Sequence, residues 1–187
     1  MNNNQGGDVM TTLNRRHFGA LFAGTAATGM IAMPNIARAA KPRVVVVGGG
    51  AGGATAARYL AKDSNGAIDV TLIEGSKRYY TCFFSNLYLG GYRDYDSIGH
   101  GYGALAFNHG INVVHDWAVS VDTAGRKVML ASGASVGYDK LVLSPGIDIK
   151  YDSVEGYSID AQDVMPHAWK SGTQVQLLKA QVEAMKE

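Results

Sequence analysis

Apolar positions along the chain fall into short runs separated by glycine and polar breaks, with no long helical stripe in the first half. Val44, Val45, Val46 and Val47 form an unbroken β-branched run, the pattern of a strand buried on both faces of a parallel sheet. It runs straight into Gly48-Gly49-Gly50-Ala51-Gly52-Gly53, after which Ala54 to Lys62 reads as a helix with small residues on its early turns. A second apolar run, Val70 to Ile73, ends in Glu74. From Gly75 to Gly103 no period is evident, and an irregular stretch is expected. Short strands are then predicted at Ile111 to His115, Ala118 to Asp122, Lys127 to Leu130 and Ser135 to Tyr138, followed by Leu141-Val142-Leu143 and the turn Ser144-Pro145-Gly146. Near the end, Val175, Leu178, Val182 and Met185 recur at helical spacing, so Gln174 to Met185 reads as an amphipathic helix.

The first forty residues change the picture because they read as an address. Arg15 and Arg16 precede an uncharged Ala/Gly-rich stretch from Phe18 to Met33, and Ala37-Arg38-Ala39 offers a small-x-small cleavage site. This predicts a twin-arginine signal peptide at 1–39, a domain at 40–187, and a periplasmic destination. The uncharged stretch is short and weakly apolar and meets Pro34, so no stable membrane span is expected once the signal is removed. Export of folded protein by this route suits a chain that takes up a prosthetic group before it leaves the cytoplasm.

Composition narrows the classes. With 47% hydrophobic and 18% charged residues, the 187-residue chain supports a core. A formal charge of +1 with no basic stripe argues against a nucleic-acid partner. Cys82 is the one cysteine, which excludes an internal disulfide, a cysteine-rich metal site and a C-x-x-C-H haem attachment within this chain. No metal site and no catalytic residue is assigned.

Strand, G-x-G-x-x-G and helix together make the context of a dinucleotide fingerprint. Gly48 permits the tight turn, and Gly50 leaves room for a pyrophosphate against the backbone. Gly53, helped by Ala57, lets the helix lie close on the sheet. Ala51, within the glycine turn, is counted with the cofactor-binding residues, and the N-terminus of the helix that follows presents free N–H groups and a positive dipole end to phosphate. Glu74 is placed to accept from a ribose and would repel a 2′-phosphate, which favours FAD or NAD over NADP. The element order leans toward FAD: short antiparallel strands inserted before a return to the parallel sheet resemble two-dinucleotide flavoproteins of the glutathione-reductase type. The expected fold class is thus α/β, a Rossmann-like FAD-binding domain with a parallel sheet and inserted antiparallel strands. In that family backbone near Ala118 and Val119 pairs with adenine, and a small-x-Gly turn like Ser144-Pro145-Gly146 lies beside the cofactor, which implicates Val119 and Gly146.

Tyr79-Tyr80-Thr81-Cys82-Phe83-Phe84-Ser85-Asn86 carries a closer resemblance. With Val44 to Gly53, Val113-Val114-His115-Asp116, Gly137-Tyr138-Asp139, Glu155-Gly156-Tyr157 and Pro166-His167-Ala168-Trp169-Lys170, it resembles the flavoprotein subunit of flavocytochrome c sulfide dehydrogenase. By itself, a cysteine between Thr81 and Phe83 reads as a small buried hydrophobe. The resemblance implies instead that Cys82 carries the FAD through a thioether at the flavin 8α position. It also implies sulfide as the substrate of the complete enzyme and a c-type cytochrome subunit as partner. The family's second nucleotide-binding-like domain, interface domain and redox disulfide have no counterpart here, so a truncated FAD-binding portion, inactive alone, is expected. A quinone- or NADH-linked flavoprotein of the same fold and a non-catalytic fragment are the alternatives. His100, His109, His115 and His167 carry no assigned role, and the tyrosines around Cys82 suit flavin walls and packing equally.

Overall fold

The computed structural model describes residues 40–185; the expected signal segment 1–39 lies outside the described residues. From Ala40 onward the chain forms one compact unit. Its elements in chain order are β1 (Arg43–Val47), α1 (Ala51–Asp63), β2 (Asp69–Ile73), β3 (Arg78–Tyr80), α2 (Ser85–Leu89), β4 (Gly99–Gly101) and α3 (Gly103–His109). There follow β5 (Asn112–Val114), β6 (Ala118–Asp122), β7 (Lys127–Leu130), β8 (Ser135–Gly137), β9 (Lys140–Leu143) and α4 (Thr173–Ala184).

Four parallel strands make the central sheet in the order β5-β2-β1-β9, with Val46 opposite Leu72 on one side and Val142 on the other. The valine run is buried on both faces, as its composition requires. Val46 joins Ala57, Leu72, Tyr102 and Ile111 beneath the helices, whereas Val45, one residue earlier and therefore pointing the other way, joins Ile73, Val128, Leu130 and Tyr138. The second group is supplied by the antiparallel meander β6-β7-β8. Each such fully buried side chain contributes roughly 1.5–3 kcal/mol relative to exposure. At the amino-terminal edge, Arg43 binds Asp139 through its backbone N–H (2.7 Å) and guanidinium (3.2 Å), locking the start of β9 to β1.

Two expectations need correction. Helix α1 begins three residues earlier than predicted, at Ala51, because Gly52 and Gly53 adopt helical geometry despite their low propensity. The stretch expected to be irregular carries β3 paired antiparallel with β4, a 3₁₀ turn at Cys82–Phe84, and α2. Helix α3, which was not expected, ends on Gly110 in the left-handed region (φ 64°), with the Gly110 and Ile111 N–H groups closing back on Ala106 and Leu105. Among the described residues no helix is long and apolar enough to cross a membrane.

Candidate functional site

The parallel strands deliver three connections to one edge. The ladder continues past the strand ends: Gly48 N–H donates to Ile73 C=O (2.9 Å), Glu74 N–H to Val114 C=O (2.9 Å) and Ser144 N–H to Val47 C=O (2.8 Å). The glycine loop, the acid and the Ser144-Pro145-Gly146 turn therefore meet at the carboxyl ends of the strands, where ligands gather in open α/β sheets. A cavity lined by Lys41, Asp69, His109 and Asn112 lies at the opposite edge and shares none of these groups.

Gly48 and Gly53 are glycines for steric reasons. At Gly48 φ is +95°, and a Cβ there would strike the Ser144 carbonyl; a Cβ at Gly53 would strike the Gly48 carbonyl. Gly50 differs, since a Cβ there would meet only the Tyr79 ring, at an ordinary 3.6 Å. The protein's own packing does not demand a glycine at Gly50, so close approach by another group remains the reason for one. Gly50 is also the N-cap of α1, no side chain caps the helix, and its first turn holds no acidic residue. Uncapped N–H groups with a positive dipole end and no competing carboxylate fit a diphosphate.

Glu74 is held rather than free to swing. Its Oε2 accepts the Gly49 N–H (2.6 Å) and its Oε1 the Ser76 N–H (2.8 Å), which leaves each oxygen a second lone pair for a ribose hydroxyl. Gly49 was not singled out by sequence, yet it sits at the centre of the corner. Its carbonyl accepts from the Tyr102 hydroxyl (3.0 Å), and the Tyr102 ring lies flush against its Cα. Burial, then the negative charge of Glu74 and the nearby Tyr79, push the Tyr102 phenol far above its usual range, so it stays a donor. His115 leans on Tyr102, with ring centroids 5.7 Å apart, and its Nδ1 lies 3.2 Å from the Glu74 carbonyl.

Cys82 begins the 3₁₀ turn just after β3 and is half-buried. Tyr79 neighbours Cys82 on one side and the Gly50 backbone at the start of α1 on the other. Burial first, then the adjacent Cys82, raise the Tyr79 phenol above its ordinary value. The sulfur thus stands one phenol away from the mouth of α1.

Val119 is the extra residue of a β-bulge between Ala118 and Ser120. Its side chain is 63% exposed, and its place in the bulge takes it out of the regular β6–β7 ladder. Next to it, Trp117 lays its indole against Gly75 while remaining 62% exposed. Sequence reading passed over Trp117, although a lone tryptophan opening a strand beside a dinucleotide corner is a usable signal. Gly146 has φ +78° and is exposed, and the Ser144 hydroxyl lies 3.4 Å from a Cβ placed on Gly52, so this turn overhangs the start of α1. Of the predicted residues, Gly48 and Gly53 pack on the Ser144 turn and on each other, Glu74 binds the Gly49 N–H, Gly50 and Cys82 both neighbour Tyr79, and Ala51 opens α1; Gly146 lies in the turn after β9, and Val119 lies on the separate β6-β7-β8 sheet. Among the described residues no group of three or more His, Cys, Asp or Glu could hold a metal ion.

Comparison with known proteins identifies the family and the fold. The model of the pyridine nucleotide-disulphide oxidoreductase family matches residues 42–182. The chain is 57% identical over 44 residues to the flavoprotein chain of sulfide dehydrogenase (flavocytochrome c) of Chlorobaculum thiosulfatiphilum, a match covering 24% of this chain and 90% of that sequence. The NAD-dependent persulfide reductase of A. fulgidus superposes with a TM-score of 0.62 at 21% identity, over 76% of this chain and 28% of that one. The sulfide:quinone oxidoreductase of Aquifex aeolicus gives 0.56 at 24% identity, over 76% of this chain and 33% of that one. At these identities the two structures speak for the fold, and the chain spans about a third of their length or less.

Proposed function

The chain belongs to the pyridine nucleotide-disulphide oxidoreductase family, and from that premise we propose that it is the FAD-binding part of a periplasmic flavoprotein that oxidises sulfide and passes the electrons to a c-type cytochrome subunit. The observation that carries the cofactor is the meeting of the Gly48–Gly53 loop, Glu74 and the Ser144–Gly146 turn at one sheet edge. The identity to a sulfide dehydrogenase flavoprotein chain supports the substrate and the cytochrome partner.

In this reading the Gly50 and Ala51 N–H groups at the mouth of α1 bind the diphosphate, and Glu74, already fixed by two backbone donors, accepts from the ribose. Val119 offers bulged backbone to the adenine, and Gly146 lets the turn after β9 approach the ring system without a side chain. Cys82 bonds the cofactor. Bound FAD would supply the electrophilic 8α carbon for a thioether to Cys82, the sulfur giving up its proton, the 8α methyl losing one, and dioxygen serving as the two-electron oxidant. Sulfide oxidation itself needs a disulfide, and Cys82 cannot both anchor the flavin and supply one. The isolated chain is therefore expected to hold FAD without turning sulfide over.

Exported protein, denatured in acid and spun down, should keep its flavin absorbance in the pellet, and Cys82→Ser should release it to the supernatant. Colour released from the unaltered chain rejects the covalent bond. A colourless preparation under FAD-replete expression rejects the cofactor.

A further inference from the structure

We propose that Tyr102 is a positioning residue that aims the Gly49–Gly50 peptide, turning the Gly50 N–H toward the diphosphate of a bound nucleotide; this rests on the nucleotide-binding reading above. In a planar trans peptide the C=O and the following N–H point in opposite directions. The Tyr102 hydroxyl grips the Gly49 carbonyl through a buried bond of 3.0 Å, so the Gly50 N–H of the same unit must face away from Tyr102. Among the described residues no acceptor takes that N–H. The neighbouring Gly48–Gly49 peptide is fixed independently, by Glu74 accepting the Gly49 N–H at 2.6 Å. Both polar groups of Gly49 are thus clamped, each by a different side chain.

Such a clamp is needed because Gly49 and Gly50 lack the Cβ atoms that restrict other residues, and a peptide between two glycines turns over with little resistance. Tyr102 is fit to impose the orientation. It is only 5% exposed, and its ring is packed with Val46, Leu72 and Ile111 in the main core, so the hydroxyl cannot follow a flipping peptide. Its burial and the neighbouring Glu74 charge keep it protonated and donating.

Tyr102→Phe tests this, because it keeps the ring and removes the donor. In the full chain purified free of flavin as Cys82→Ser, the background used for every sample, calorimetric titration should show ADP affinity falling about tenfold on Tyr102→Phe, the scale of one lost hydrogen bond, with adenosine affinity unchanged. Glu74→Gln, at the ribose, should weaken both ligands. In the flavin-free Cys82→Ser chain with Tyr102 intact, ADP should shift the Gly50 amide resonance and adenosine should leave it in place, a readout that does not depend on how the Tyr102 variant folds. Equal ADP affinity in Tyr102→Phe, parallel loss of ADP and adenosine, or an unmoved Gly50 amide each overturns the proposal. A flavin-free Cys82→Ser chain that binds neither ligand overturns the nucleotide-binding reading, and this inference with it.

Discussion

Around the glycine loop the backbone is shaped by distant parts of the chain: Ser144 closes on Gly48, Glu74 on the Gly49 N–H, and Tyr102 on the Gly49 carbonyl. Between Ile147 and Lys170 the backbone bonds are local, as from Ser153 to Lys150, Tyr157 to Val154 and Met165 to Ala161, each spanning three or four residues. The same stretch exposes Ile147, Val154, Ile159, Val164, Met165 and Trp169. One region is over-determined by tertiary contact, and the other is held by turns that bury little. The nucleotide corner should therefore respond sharply to single atoms, and the later stretch should respond to solvent conditions before it responds to side-chain size.

The hardest blow to that contrast would come from Gly48→Ala. Its φ of +95° strains any L side chain and its Cβ would enter the Ser144 carbonyl, so denaturant unfolding should show a loss of roughly 4 kcal/mol or more. A variant as stable as the parent would mean the corner is far softer than described.

A middle-sized effect should come from pH. His167 has a buried Nδ1 without a partner, and burial first, then nearby Lys170, lower its pKa. Because the unfolded chain takes the proton more readily, the contribution of His167 to stability is lost as pH falls below about 6.5. Asp139, held down by hydrogen bonds and charge from Arg43, works in a lower window. Its stabilising contribution is complete above about pH 3.9 and is lost only as pH falls through its depressed value. Hydrogen exchange at pH 7.5 and 5.5 should show protection falling around residues 151–167 and holding around 43–53. Equal loss in both would dissolve the distinction.

Trp169→Ser should matter least. The side chain is 75% exposed, so stability should stay within about 0.5 kcal/mol in the same denaturant assay. A larger loss would show that the later stretch is anchored by more than its turns.

The same division explains what could be read from sequence. Strand β1, the glycine turn, β2 and the meander were legible because burial on two faces and glycine spacing leave marks in the residues themselves. Strand β4 is Gly-His-Gly and has no apolar residue to announce it; it exists because β3 lies beside it. Helix α3 hides its period because Phe107 points into solvent, 92% exposed. Gly48, Gly50, Gly53 and Glu74 could be named from local context and Cys82 from a family resemblance, whereas Gly49 and Tyr102 acquire their roles only when remote segments touch.

The segment between Glu74 and Tyr102 leaves and returns to one residue, since its first member accepts the Gly49 N–H and its last donates to the Gly49 carbonyl. It is a loop closed at Gly49 and tied again to the last part of the chain through Tyr80, Tyr88 and Tyr95, with the lone thiol riding along its length. Lengthening a flexible closed loop costs little, about 0.6 kcal/mol for each doubling. Insertions and deletions in its turns, away from those ties, can therefore shift the sulfur while the Gly48–Gly53 corner stays where it is.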